Sequence, residues 1–133
     1  MALLVGILLA LAVGLFATRV GLDRERAFYP TVMLVIAALY SLFAVMGSSM
    51  HALIVESAIG VVFCMLAVAG FKSSLWIVVA ALAAHGAFDL IHGKVITNPG
   101  VPVFWPRFCF AYDVVAAGYL AWLLKRNRVR TAP

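Results

Sequence analysis

Apolar residues run through this chain in five long blocks, separated by short polar or Pro/Gly breaks, at about 2–20, 29–47, 51–70, 74–93 and 105–124. A helix needs roughly 20 apolar residues to cross a bilayer core about 30 Å thick. The pattern therefore predicts an all-α integral membrane protein, a five-transmembrane-helix bundle forming one domain over 1–133. No soluble module, low-complexity linker or internal repeat is expected. Residues 2–20 lack the basic leading segment and the small-x-small cleavage site of a signal peptide, and are expected to stay as a helix. Gly6, Ala10 and Gly14 recur along that helix at four-residue intervals. Such a stripe suits close packing, either on another helix of the same chain or on a second copy in a homodimer.

Composition agrees with the block pattern. With 66% hydrophobic and 11% charged residues, the chain has too little polar surface to wrap a water-soluble domain. The basic residues then indicate orientation. Arg19, Arg24 and Arg26 follow the first block, Lys72 the third, and Lys125, Arg126, Arg128 and Arg130 the fifth, whereas Lys94 and Arg107 stand alone on the alternate side. Eight of the ten Lys and Arg residues thus share one side, which predicts an outside N-terminus and a cytoplasmic C-terminus. The net charge of +5 is a topology signal, with a basic tail lying against anionic membrane lipids. No nucleic-acid partner is expected.

The stretch A-A-H-G-A-F-D-L-I-H-G, residues 83–93, interrupts the fourth block with ionisable side chains. Of the five acidic residues, Asp23 and Glu25 sit among the loop arginines, while Glu56, Asp89 and Asp113 fall inside predicted spans together with His85 and His92. An ionisable group at such depth costs on the order of 2.5–3.5 kcal/mol and is expected to face the protein interior. At 1.5 Å per residue, Glu56 lies roughly 8 Å below the outer boundary, Asp89 about 6 Å, His85 and Asp113 about 12 Å, and His92 near the surface. All five belong to the outer half. His85, Asp89 and His92, at i, i+4 and i+7, share one helical stripe within about 60°.

Imidazole and carboxylate side chains at this spacing are ligands for a divalent metal, zinc or iron. The expected set is His85, Asp89 and His92, with Glu56 or Asp113 completing the shell or serving as general base. A helix-joining hydrogen-bond network, with Arg107 reaching an acidic partner near the outer interface, is the alternative. Trp105 fits an interfacial anchor, and Pro106 fits the first turn of the last helix. Tyr112, the residue before Asp113, points about 100° away from it around the helix and reads as an interfacial or packing residue. Tyr40, Ser41 and Tyr119 have no charged neighbour assigned at matching depth. Cys109 and Cys64 lie about 6 Å and 20 Å from the outer face, too far apart for a disulfide, and Cys109 is at most a soft ligand. The connection K-V-I-T-N-P-G-V-P-V-F-W-P, residues 94–106, is either a lid over the polar layer or a short apolar connector.

The sequence H-G-A-F-D-L-I-H-G, followed by N-P-G-V-P and an aspartate in the last block, resembles an uncharacterised family of small bacterial multi-pass inner-membrane proteins. The resemblance covers roughly residues 84–113. It implies a bacterial inner-membrane location, carries no established activity and assigns no role to any residue.

Three functions follow. The first is a metal-dependent enzyme acting on a lipid or isoprenoid-like substrate at the outer leaflet. The second is a small dimeric transporter in which Glu56, Asp89 and Asp113 exchange protons or cations. Its polar layer would sit in the outer half, whereas transporter sites usually lie near the midplane. The third is an assembly subunit whose polar layer only joins helices. The charge asymmetry makes a direct prediction: a reporter fused after Arg130 reports cytoplasm, and one inserted near Asn98 reports the opposite side. Both signals on one side would remove a span and overturn the depth argument.

Overall fold

The computed structural model of the chain describes residues 1–130, so the last three residues of the expected 1–133 domain lie outside the described residues. Five helices are present: α1 (Ala2–Val20), α2 (Phe28–Met46), α3 (Met50–Lys72), α4 (Trp76–Val95) and α5 (Trp105–Lys125). All five are long and apolar enough to cross a membrane. A single 3-10 turn, Leu22–Arg24, joins α1 to α2.

The helix ends follow local chemistry. Gly21, at φ 85°, closes α1 in the left-handed conformation that glycine adopts without a Cβ penalty, and its N–H donates to the Ala17 carbonyl at 2.9 Å. Ser49 caps α3 by accepting from the Ala52 N–H at 3.2 Å. Three helices run past their expected ends, α3 to Lys72, α4 to Val95 and, by one residue, α5 to Lys125. Glycine does not by itself end a helix: Gly93 has open space around it, and the α3 terminus is held by Arg26. That guanidinium donates to the Phe71, Gly70 and Ser73 carbonyls at 2.6, 3.1 and 2.7 Å, satisfying acceptors that a helix C-terminus leaves open.

In the bundle α1 packs on α5, α5 on α4, α4 on α3 and α3 on α2, while α2 also touches α4. Small residues set these approaches. Gly6 lies against the Phe108 carbonyl and Gly14 under the Tyr119 ring, so the small-residue stripe of α1 is used within the chain, on α5. A Cβ on Gly60 would stand 2.8 Å from the Ala37 carbonyl, which brings α3 close to α2. Met33, Leu82, Leu120 and Leu123 fill the core with no exposed surface, whereas Leu8, Phe16, Val61 and Met65 stand exposed on the outer faces.

Gly6→Val tests the α1–α5 contact. The added branch has to displace backbone, so a loss of about 1–3 kcal/mol is expected, against less than about 0.5 kcal/mol for Leu8→Val on the exposed face of the same helix. Thermal unfolding in detergent checks this, and equal midpoints for the two variants would refute the packing.

Candidate metal centre

The interior stripe of α4 carries His85, Asp89 and His92, all buried at 1–2% exposure. Gly86, beside His85, lets α5 approach until a Cβ there would lie 3.3 Å from the Asp113 Cβ. That closeness brings His85 Nδ1 to 2.7 Å from Asp113 Oδ2 and leaves it 3.6 Å from Asp89 Oδ2. Cys109 stands one turn before Asp113 on α5 and is buried as well. One ligand atom from each of His85, Asp89, Cys109 and Asp113 lies within 4.8 Å of every other, and this nitrogen, oxygen and sulfur set can hold a metal ion. Two oxygens in the group, Asp89 Oδ2 and Asp113 Oδ1, are buried without a hydrogen-bond partner. Buried carboxylate oxygens ordinarily have partners, so these two call for a ligand or a proton.

A second pair lies alongside. His92 Nε2 is 2.6 Å from Glu56 Oε1, joining α4 to α3. Asn98 donates through Nδ2 to the same Glu56 oxygen at 3.0 Å and to the Tyr40 carbonyl at 3.1 Å. Its Oδ1 accepts from the Gly100 N–H at 3.2 Å, which fixes the turn that presents the amide. Gly100 rests directly on the Phe43 carbonyl, where no Cβ would fit. The turn at Asn98 and Gly100 is therefore seated on α2, with the Asn98 amide on the Glu56 oxygen that meets His92.

Tyr40 links the two halves. Its hydroxyl donates to Asp89 Oδ1 at 2.7 Å, and its ring stacks on His92 with centroids 4.0 Å apart and planes 10° from parallel. Phe63 meets His85 edge-on at 4.8 Å, giving the imidazole an apolar neighbour on the α3 side.

His92 and Arg107 lie elsewhere than the sequence predicts. His92 is outside the four-ligand group, because its ring is held by Glu56 and Tyr40, and so is Glu56; the group holds Asp113, one of the two candidates to complete the shell, and Cys109. Arg107 is exposed and enters no ion pair among the described residues, so it does not reach the polar layer. Trp105 is half-buried, its ring 4.8 Å from that of Phe43 and its indole nitrogen buried without a partner. Tyr112 is half-buried beside Phe108. The two cysteines are free.

Tyr40 corrects the expectation that it lacks a charged neighbour. It stands seven residues before the end of its apolar block, about 10 Å deep at 1.5 Å per residue, close to the levels assigned to His85 and Asp89. Depth could have found it, but no other polar residue on α2 marked that face as inward. Tyr119 also has a polar contact, since Thr18 lies 2.7 Å from its hydroxyl and donates to Asp23. Asn98 escaped notice because an asparagine before proline reads as turn chemistry alone.

Comparison of the chain with known protein families, curated proteins and solved structures finds no match.

Tyr40→Phe keeps the ring stack and deletes the donor to Asp89. With one more buried carboxylate oxygen unsatisfied, the loss should be about 1–3 kcal/mol. Ser41→Ala, which removes only the half-buried 3.0 Å contact with Ser57, should cost less. Comparative thermal melts decide it; a neutral Tyr40→Phe would mean that the hydroxyl does not secure Asp89.

Proposed function

We propose that this protein is a multi-pass bacterial inner-membrane metalloprotein in which His85, Asp89, Cys109 and Asp113 bind one divalent zinc or iron ion between α4 and α5. The observation that carries the reading is the pair of unpartnered carboxylate oxygens inside a convergent four-ligand group. Ligand atoms bonded at about 2.0–2.3 Å to one tetrahedral ion stand roughly 3.3–3.8 Å apart. To hold an ion, His85 and Asp113, now 2.7 Å apart, would have to separate slightly while the wider pairs of the group drew in. The ion's two positive charges would offset two of the three negative charges that Asp89, Asp113 and the Cys109 thiolate bring, whose joint burial in an apolar bundle is otherwise costly. The loop-charge asymmetry supports an outside N-terminus and a cytoplasmic C-terminus, with the cluster toward the outer leaflet.

In this reading the protein is a metal-dependent enzyme for a lipid or isoprenoid-like substrate. When bound, the ion would supply Lewis acidity to a substrate oxygen entering as an additional ligand, since four protein ligands alone leave no position open. Glu56 and His92, hydrogen-bonded to each other under the Asn98 turn, form a neighbouring carboxylate–imidazole pair suited to accept and return a proton. Support for a membrane substrate comes from the setting: the cluster is enclosed by helices whose outer faces are apolar.

Elemental analysis of protein purified in mild detergent and supplied with zinc or ferrous iron tests the metal. Near-stoichiometric metal is expected in the wild type, with background levels in His85→Ala and Asp113→Ala. His92→Ala should keep its metal while melting at a lower temperature. A wild type without stoichiometric metal refutes the reading. So does a folded His92→Ala that loses metal as fully as His85→Ala.

A further inference from the structure

Two surface features meet at the end of the bundle that holds the α1–α2 connection and the chain's basic tail. The first is an apolar groove of about 560 Å³ between α1, α2 and α5, within the roughly 300–1,000 Å³ range of small-molecule sites. Leu9 and Val13 of α1, Val35 and Leu39 of α2, and Phe108 of α5 form its walls. Its lining follows α2 from Phe28 to Leu39, a rise of about 16 Å at 1.5 Å per residue. That is about half of a bilayer core of about 30 Å, the depth of one leaflet.

The second is a polar cleft of about 450 Å³ lined by Arg24, Arg128 and Arg130. Glu25 lines both spaces, so the cleft adjoins the end of the groove. The cleft is built by backbone as well as side chains, since the Arg130 N–H donates to the Arg24 carbonyl at 3.0 Å and pins the tail to the α1–α2 connection. Nearby acidic groups leave positive charge in excess. Asp23 accepts from Thr18 and shares a small recess with Arg24 and Arg128, and Glu25 pairs with Arg130 at 3.4 Å, while Arg24 and Arg128 enter no ion pair among the described residues. Arg128 lies over the ring of Trp122, 5.7 Å from its centroid, and Trp122 is on the exposed face of α5.

We infer that this groove and cleft together form a binding site for one anionic phospholipid, its phosphate held by Arg24 and Arg128 and one acyl chain laid in the groove toward Trp105. Guanidinium groups bind phosphate oxygens with paired, charge-assisted hydrogen bonds. The length of the groove matches a chain entering from one leaflet. A zwitterionic lipid would bring a cationic group to a cleft with three arginines and one carboxylate, so charge complementarity selects an anionic headgroup. The site rests on different observations from the metal reading: its charged end is formed by the α1–α2 connection and the tail, and of the four proposed ligands only Cys109 also lines the groove.

Trp105 lines the groove and can report on its occupancy. In a Trp76→Phe, Trp122→Phe background it is the sole tryptophan. The full chain is reconstituted in phosphatidylcholine vesicles, and phosphatidylglycerol or phosphatidylcholine brominated in the distal half of the acyl chain is titrated in. Brominated phosphatidylglycerol should quench Trp105 at a mole fraction about tenfold lower than brominated phosphatidylcholine. Arg24→Gln with Arg128→Gln should bring the two curves together, and Val35→Phe should weaken quenching by both lipids. High salt, which screens exposed charges, should narrow the gap with the arginines intact, and this arm decides the matter where the double variant fails to fold. Coincident curves for the two lipids overturn the inference, as does a preference that survives both the arginine substitutions and salt. Trp105 shielded from both lipids would show the groove filled by a second copy of the chain, and would equally overturn it.

Discussion

Placing charged groups inside an apolar bundle is the constraint on which this structure turns. An isolated buried carboxylate costs far more than any one packing contact returns, so each must meet a partner on another helix. α4 is the hub of that pairing: His85 meets Asp113 on α5, His92 meets Glu56 on α3, and Asp89 accepts from Tyr40 on α2. Three neighbouring helices are thereby fixed to one stripe of one helix. Removing a single partner would leave an uncompensated buried group, which ties the register of α2, α3 and α5 to the chemistry of α4.

Backbone proximity makes the pairing geometrically attainable. Asp, Glu and His side chains are short, and they meet across helices only where small residues remove bulk between them. Gly86 does so for α4 and α5, beside His85, and Gly60 does so for α3 and α2, one turn from Glu56. Asn98 completes the arrangement from outside the helices, because Gly100 lets the connection lie directly on α2 and drop the amide onto Glu56. The proposed metal centre and the Glu56–His92 pair are thus neighbours held by one scaffold, with Tyr40 touching both through its hydroxyl, ring and carbonyl.

The five helices were legible because a membrane-length apolar block leaves little choice of structure, and the α1 stripe was legible as a packing surface because glycines four apart have few other uses. The polar layer was legible in depth: counting residues from the block ends put Glu56, His85, Asp89 and Asp113 at similar levels. Azimuth was not. A stripe on α4 says which residues share a face, but the partner each one meets depends on how its neighbours rotate about their own axes. For that reason His92 was grouped with His85 and Asp89, although its ring is drawn to α3, and Cys109 was undervalued, although it stands one turn from Asp113 on the face toward α4. Tyr40 shows the same gap, since a lone hydroxyl on an apolar helix declares no direction.

The central claim is that His85, Asp89, Cys109 and Asp113 act as a single metal-binding unit, and the visible absorption spectrum of the cobalt(II)-loaded protein tests it most directly. Cobalt accepts the same mixed ligand set, and its spectrum reports both coordination number and the presence of sulfur. Strong d–d bands of a four-coordinate ion are expected together with a thiolate-to-cobalt charge-transfer band, the latter disappearing in Cys109→Ser while the former remain. A loaded protein that shows only the weak spectrum of six-coordinate, water-bound cobalt, unchanged by Cys109→Ser, would contradict it.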